Sequence, residues 1–195
     1  MGAINAIRNA FPFGTEDVTL SIKARGNPSE PVRDELYRLA SSDKRIQIRE
    51  ELLSRQEMSA RMQECNVFLS LHRSEGFGLG CAEAIAHGKI VVATDFGGTK
   101  EFVSNTSGYP VSFKQVPLSR KYYPGAEGSY WAEPDTEHAA SILKEIYANP
   151  TCSSDRPIAG YQYLKNNNSL QAVGRAIREN LTANTERQRQ KLQTQ

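Results

Sequence analysis

Two carboxylates, Glu75 and Glu83, stand eight positions apart around a glycine-rich turn, Gly76-Phe77-Gly78-Leu79-Gly80. The turn leaves an apolar run of strand length, Val67-Phe68-Leu69-Ser70-Leu71, and enters a helix predicted over Leu79 to His87 and ended by Gly88. A buried strand passing through glycines into a helix is where open α/β sheets bind ligands. The first N–H groups of such a helix, near Gly78 to Gly80, face an anion, and the helix dipole adds partial positive charge. Phosphate is the natural guest. Gly76 and Gly78 let the backbone come close to it. A carboxylate beside a phosphate is repelled unless it serves hydroxyls, and both its oxygens can accept from a vicinal diol. The pair therefore points to a ligand with phosphate and sugar hydroxyls. The bland reading makes Glu75 a solvated loop residue and Glu83 a helix-surface acid.

A rival reading uses the same turn. Gly76-x-Gly78 with Asp95 nineteen residues after Gly76 is close to the dinucleotide fingerprint of nicotinamide enzymes. Cys81 occupies its third glycine position, and Arg73-Ser74-Glu75 lengthens the turn beyond what that fingerprint needs. Gly97-Gly98 reads as a packing turn opening a short helix, Arg73 and Lys23 as solvated bases, and His72 as structural polar support. His72, His87 and His138 lack metal-ligand spacing, so no metal is expected. Cys65, Cys81 and Cys152 are odd in number and scattered, which suits reduced thiols.

The elements that must position this turn follow from apolar periodicity. Strands are expected at 18–22, 46–48, 67–71, 90–93 and 109–113, with the third and fourth most central because they are most apolar. Helices are expected at 4–11, 31–40, 55–64, 79–87, 98–103, 135–148 and 169–182. Ser54 before Arg55-Gln56-Glu57 has capping-box spacing. The alternation of strands and helices predicts an α/β, Rossmann-like parallel sheet with flanking helices. Residues 114–133, rich in Tyr122, Tyr123, Tyr130, Trp131, proline and glycine, read as a long ordered surface loop.

The 195 residues, 38% hydrophobic and 24% charged, suit one globular domain and exclude a disordered or collagenous chain. The 24 basic and 22 acidic residues give a net charge of +2, too balanced to argue for nucleic acid or an anionic membrane. The excess sits at the end, where Arg175 to Lys191 holds five basic against two acidic residues. Membrane or acidic-partner contact by that tail is the minor alternative to a solvated helix. Met1 to Phe13 lacks the pattern of a secretory signal, so a cytoplasmic location is expected.

The run Ser74-Glu75-Gly76-Phe77-Gly78-Leu79, then Glu83 to Asp95, then Gly97-Gly98-Thr99-Lys100-Glu101, resembles the donor-binding half of family 4, or group 1, glycosyltransferases of the GT-B fold. Their signature is Glu-x7-Glu followed by Gly-Gly-x-x-Glu. The resemblance implies transfer of a sugar from a nucleotide-diphosphate-sugar donor to an acceptor hydroxyl, with retention and without metal or cofactor. Glu75 would meet the donor sugar at the reacting face. Ser74, Gly76, Phe77, Gly78 and Leu79 would line the sugar and diphosphate, and Glu83 would bind the ribose. The family's first strand, with its diphosphate-binding Arg and Lys, would lie before Met1, and Asn66 stands where an Asp is frequent. The expectation is thus a donor domain over 1–184 without that strand, a basic Gln-rich tail over 185–195, and activity only with a separate acceptor-binding half. A noncatalytic nucleotide-sugar-binding module is the alternative from another class.

Overall fold

The computed structural model describes residues 1–24, 30–119, 125–153 and 155–193. Tyr122 and Tyr123 lie outside the described residues. In chain order the elements are α1 (Gly2–Ala10), β1 (Leu20–Lys23), α2 (Glu30–Ser41), β2 (Ile46–Arg49), α3 (Arg55–Glu64), β3 (Val67–Ser70), α4 (Leu79–Ala86) and β4 (Ile90–Thr94). A 3₁₀ turn (Gly97–Glu101) precedes β5 (Tyr109–Val111), β6 (Phe113–Pro117), β7 (Tyr130–Pro134) and α5 (Thr136–Ala148). A second 3₁₀ turn (Pro150–Ser153), α6 (Asp155–Asn167) and α7 (Leu170–Gln193) complete the chain.

Five strands pair in parallel but form two sheets, β1–β2 and β3–β4–β5, while β6 and β7 make an antiparallel hairpin. Helices cover both faces of β4, as its side-chain alternation requires. Val92 meets α1 and α5 through Ala6, Ile7, Ala10, Ala139 and Leu143. Val91 and Ala93 meet Cys81, Ala84 and Ile85 of α4 and Phe102 and Val103 behind the 3₁₀ turn. The sheet is therefore buried on both sides, which explains why the fourth strand is an unbroken apolar run. β3 differs from the expectation of centrality: it is the edge of its sheet, and all four of its residues are only half-buried.

Helix ends follow local chemistry. Ser54 Oγ accepts from Glu57 N–H (3.3 Å) while the Glu57 carboxylate accepts from Ser54 N–H (2.7 Å), completing the capping box ahead of α3. Ser54→Ala should lower stability by about 1 kcal/mol in urea unfolding, and an unchanged midpoint would count against the cap. Gly88, at φ +69°, closes α4: its N–H donates to Ile85 O (2.9 Å) and Lys89 N–H to Ala84 O (2.9 Å), a Schellman pair. Asp135 caps α5, accepting from the N–H groups of Glu137 and His138, both at 3.0 Å. The bond from His138 is the main cause that holds the Asp135 carboxyl below its ordinary range. Its contribution is therefore present at neutral pH and is lost as pH falls through the lowered value.

Three further departures from the sequence reading concern the loop at 114–133, the strand at 109–113 and a helix after α5. At the two ends of the loop predicted over 114–133, residues 114–117 and 130–133 are strand, in β6 and β7, residues 120–124 lie outside the described residues, and the strand predicted at 109–113 divides between β5 and β6. Helix α6 is absent from the helices expected from sequence, and it forms although Pro157 and Gly160 are poor helix formers. Pro157 lies in the first turn, where a missing N–H costs nothing. Gly160 faces α4 so closely that a Cβ there would lie 3.0 Å from Ile85 Cγ2. Packing overrides propensity at that position.

Candidate functional site

The candidate site forms where β3 and β4 end, and two glycine turns meet there. Gly78 is the N-cap of α4 in the left-handed region (φ 90°, ψ 49°), and Ala82 N–H to Gly78 O (3.0 Å) begins the helical ladder. The N–H groups of Leu79, Gly80 and Cys81 thus precede that ladder and carry the positive end of the dipole. Gly97-Gly98 comes from the other side. Gly98 N–H donates to Glu75 O (3.3 Å), and a Cβ at Gly98 would lie 2.0 Å from Gly76 O. At Gly97, with φ +75°, a Cβ would lie 2.3 Å from Glu75 O. The packing role expected of this pair is what the geometry gives, and its consequence is larger than expected: only residues without a side chain let the 97–98 turn seat against the Glu75–Phe77 backbone.

The side chains sort accordingly. Glu75 is exposed and folds back over its own turn, Oε1 accepting from Gly78 N–H (3.1 Å). The carboxylate is thereby fixed at the mouth, with capacity left for further donors. Ser74 and Gly76 are exposed, and Leu79 is 69% exposed at the first position of α4. Phe77 turns inward, its ring 5.3 Å from that of Phe102, so that residue offers the surface its backbone rather than its ring. Glu83 is exposed on α4, one turn and more beyond the glycines. Cys81, at the third position of the dinucleotide fingerprint, sits in the apolar core, where burial pushes its thiol up to about 11 and keeps it protonated at neutral pH.

His72 ties the two loops together. Its Nε2–H donates to Phe96 O (2.8 Å), while Nδ1 lies 3.1 Å from Ser70 Oγ and accepts from that hydroxyl in the neutral ring. Thr99, fully buried, adds Oγ1 to Phe96 O at 3.1 Å. The structural role expected of His72 is the observed one. Arg73 is not a lone solvated base: its guanidinium pairs with Glu133 and lies 4.7 Å from the Trp131 ring centre. Sequence reasoning missed this link, since the two residues stand sixty positions apart in the chain. The clustering of aromatic residues in 114–133 was the available signal. Among the described residues no group of three His, Cys, Asp or Glu is placed to hold a metal ion, and no helix is long and apolar enough to cross a membrane.

Comparison with known proteins bears on the same region. No curated protein matches the sequence significantly. Among solved structures, the C-terminal domain of LpcC, a glycosyl transferase group 1 family protein from Francisella tularensis, superposes with a TM-score of 0.66 at 19% identity, covering 87% of this chain and 78% of that one. A glycosyltransferase from Rickettsia africae ESF-5 gives 0.69 at 18% identity, over 95% of this chain and 43% of that one. HepE from Anabaena, solved in complex with UDP, gives 0.68 at 16% identity, over 91% and 44%. The chain thus spans under half the length of the Rickettsia and Anabaena proteins. At these identities the likeness establishes the fold, that of the C-terminal half of GT-B glycosyltransferases. The family described as glycosyl transferases group 1 matches residues 2–117, which include both carboxylates and both glycine turns. With that match covering more than half of its length, the chain belongs to the group 1 glycosyltransferases.

Proposed function

We propose that this chain supplies the nucleotide-sugar-binding part of an enzyme that moves a hexosyl group from a nucleotide-diphosphate donor to an acceptor hydroxyl, with retention and without a metal. The diphosphate lies at the N-terminus of α4, against the N–H groups of Leu79 to Cys81. Developing charge on the departing diphosphate is met there by dipoles that need no reorganisation. Glu83 accepts from the ribose diol, and Ser74 with the Gly76–Leu79 backbone lines the sugar. Glu75 faces the donor sugar near its reacting carbon, where a carboxylate stabilises an oxocarbenium-like state. The acceptor and the facing wall come from a second half.

The observation that carries this reading is the seating of Glu75: Gly78 N–H holds its Oε1 at 3.1 Å, directly beside the amides that would bind phosphate. UDP complexed by HepE supports uridine diphosphate as the first probe. Calorimetric titration of the chain with UDP and GDP tests the reading. Saturable binding is expected, and Glu83→Ala should weaken it by roughly 1.5–3 kcal/mol, the range for hydrogen bonds to charged groups. Equal affinity in the variant removes the ribose role, and failure of both nucleotides to bind removes the donor site.

A further inference from the structure

The two parallel sheets share one core, and each ends on an open strand. β1 pairs with β2 alone, and β3 is the edge of β3–β4–β5. Val18 and Leu20 at β1, and Val67, Leu69 and Leu71 at β3, pack on the same core, the one that α1 and α5 form through Ala6, Ile7, Ala10 and Leu143. α1 also gives the direction. A Cβ on Gly2 would lie 3.5 Å from Leu71 Cδ1, just past the carboxyl end of β3. At the other end of α1, Arg45 Nη1 donates to Phe11 O (2.8 Å), just before the amino end of β2. α1 therefore runs against both sheets, so β1 and β3 point the same way. A helix about 10 Å across that spans the two leaves room between them for one strand, since neighbouring strands lie about 4.8 Å apart.

Neither edge is finished. Leu20 N–H donates to Arg45 O and Ala24 N–H to Arg49 O, both at 2.9 Å, so the alternation of a parallel ladder turns the N–H and C=O groups of Ser21 and Lys23 away from β2. Ile90 N–H donates to Asn66 O (3.3 Å), which in the same way turns those of Val67 and Leu69 away from β4. Among the described residues no strand takes up either row. Soluble proteins blunt a lasting edge with charge, proline or a bulge. Val67-Phe68-Leu69-Ser70 carries no charge and no proline, and it pairs with β4 without a bulge.

We infer that β1 and β3 flank a slot for one further strand, parallel to both and apolar on both faces, supplied by the half that holds the acceptor. Cores on the two sides set the apolarity: α1 and α5 lie on one face, and Met62 of α3 joins α4 on the other. The crossovers on either side of the slot thus go to opposite faces. That makes the slot the switch point of the sheet, and ligands bind at the carboxyl end of such a point. This end opens beside Gly2 and Leu71, four residues before Glu75. A strand seated there brings the body attached to it to the mouth of the candidate site, where the facing wall is needed. The choice of supplier rests on the proposed function, and the slot itself does not.

The probe is a peptide of alternating valines and isoleucines between terminal lysines, added to the full chain, and hydrogen exchange is read at the amides of Ser21, Lys23, Val67 and Leu69. Their protection should rise at least about tenfold. The same peptide with proline in place of its central residue should protect none of them, because proline supplies no ladder donor. Joining the peptide by its carboxyl end to Met1 through a Gly-Ser linker raises its local concentration to the order of millimolar and should reproduce the protection. Protection by neither form in a folded chain, or equal protection by the proline peptide, overturns the slot. Protection that grows with the concentration of the chain alone makes a second copy the occupant and overturns the assignment to the acceptor half. An acceptor-binding half that assembles with the chain and leaves the four amides exchanging as before overturns it as well. UDP calorimetry on the peptide-loaded chain is read separately: a protected edge without UDP binding removes the donor-site reading and keeps the slot.

Discussion

Gly98→Ala should destabilise the chain by about 3 kcal/mol and abolish most of its UDP affinity, at the upper end of what overpacking costs. The added Cβ would lie 2.0 Å from Gly76 O and 2.9 Å from Phe77 Cα, and both are backbone atoms. No rotamer change relieves that overlap. The 97–98 turn must withdraw, which breaks the Gly98 N–H to Glu75 O bond and frees the loop that carries the carboxylate. Gly174→Ala is the control, since nothing lies within 4 Å of a Cβ there and the residue is inside α7. It should stabilise the chain by about 0.5–1 kcal/mol from helix propensity. Urea unfolding and UDP calorimetry on the two variants decide the matter. A Gly98→Ala chain that unfolds at the parent's midpoint and binds UDP normally would show that the two turns are not mechanically joined.

Glu75→Gln is expected to lower turnover about 10²- to 10⁴-fold, the span of positioned side-chain chemistry, in an assembly of this chain with an acceptor-binding half. Donor affinity should change far less. The carboxylate's proposed contact strengthens as positive charge grows at the sugar, so its loss falls on kcat rather than on binding. Glutamine keeps the size and can still accept from Gly78 N–H, so the variant isolates charge from loop structure. The chain alone should transfer no measurable sugar, because holding two reactants in line and away from water supplies about 7–11 kcal/mol of such a barrier. Steady-state kinetics of the assembly and a radiolabelled transfer assay of the lone chain test both statements. An assembly with Glu75→Gln at full turnover would take the catalytic role from that residue.

Strand and helix placement was legible in the sequence wherever local chemistry and burial agree. The run Ile90-Val91-Val92-Ala93 is apolar on every residue because helices cover both of its faces. The box at Ser54 and the stop at Gly88 were legible because a cap is made by residues three or four apart. The same holds for the core of the candidate site: Glu75, the glycines and the start of α4 form one continuous segment, so the glycine turn into the helix could be read from its spacing.

What only the tertiary structure decided are the contacts between segments distant in sequence. That Gly97-Gly98 seats on the backbone of Glu75 and Gly76 follows from β3 and β4 being neighbours, and the Gly-Gly pair alone does not say which backbone it approaches. That Arg73 pairs with Glu133 depends on the hairpin folding over the end of the sheet. Helix α6 forms against its own propensity because Gly160 lets it approach Ile85. The sequence by itself determined an α/β chain with a glycine-rich strand-to-helix turn between two carboxylates, because periodicity and local hydrogen bonding act over a few residues. The tertiary structure alone decided which loops that turn is braced against and which aromatic rings stand beside it, because close packing couples residues by shape and not by position along the chain.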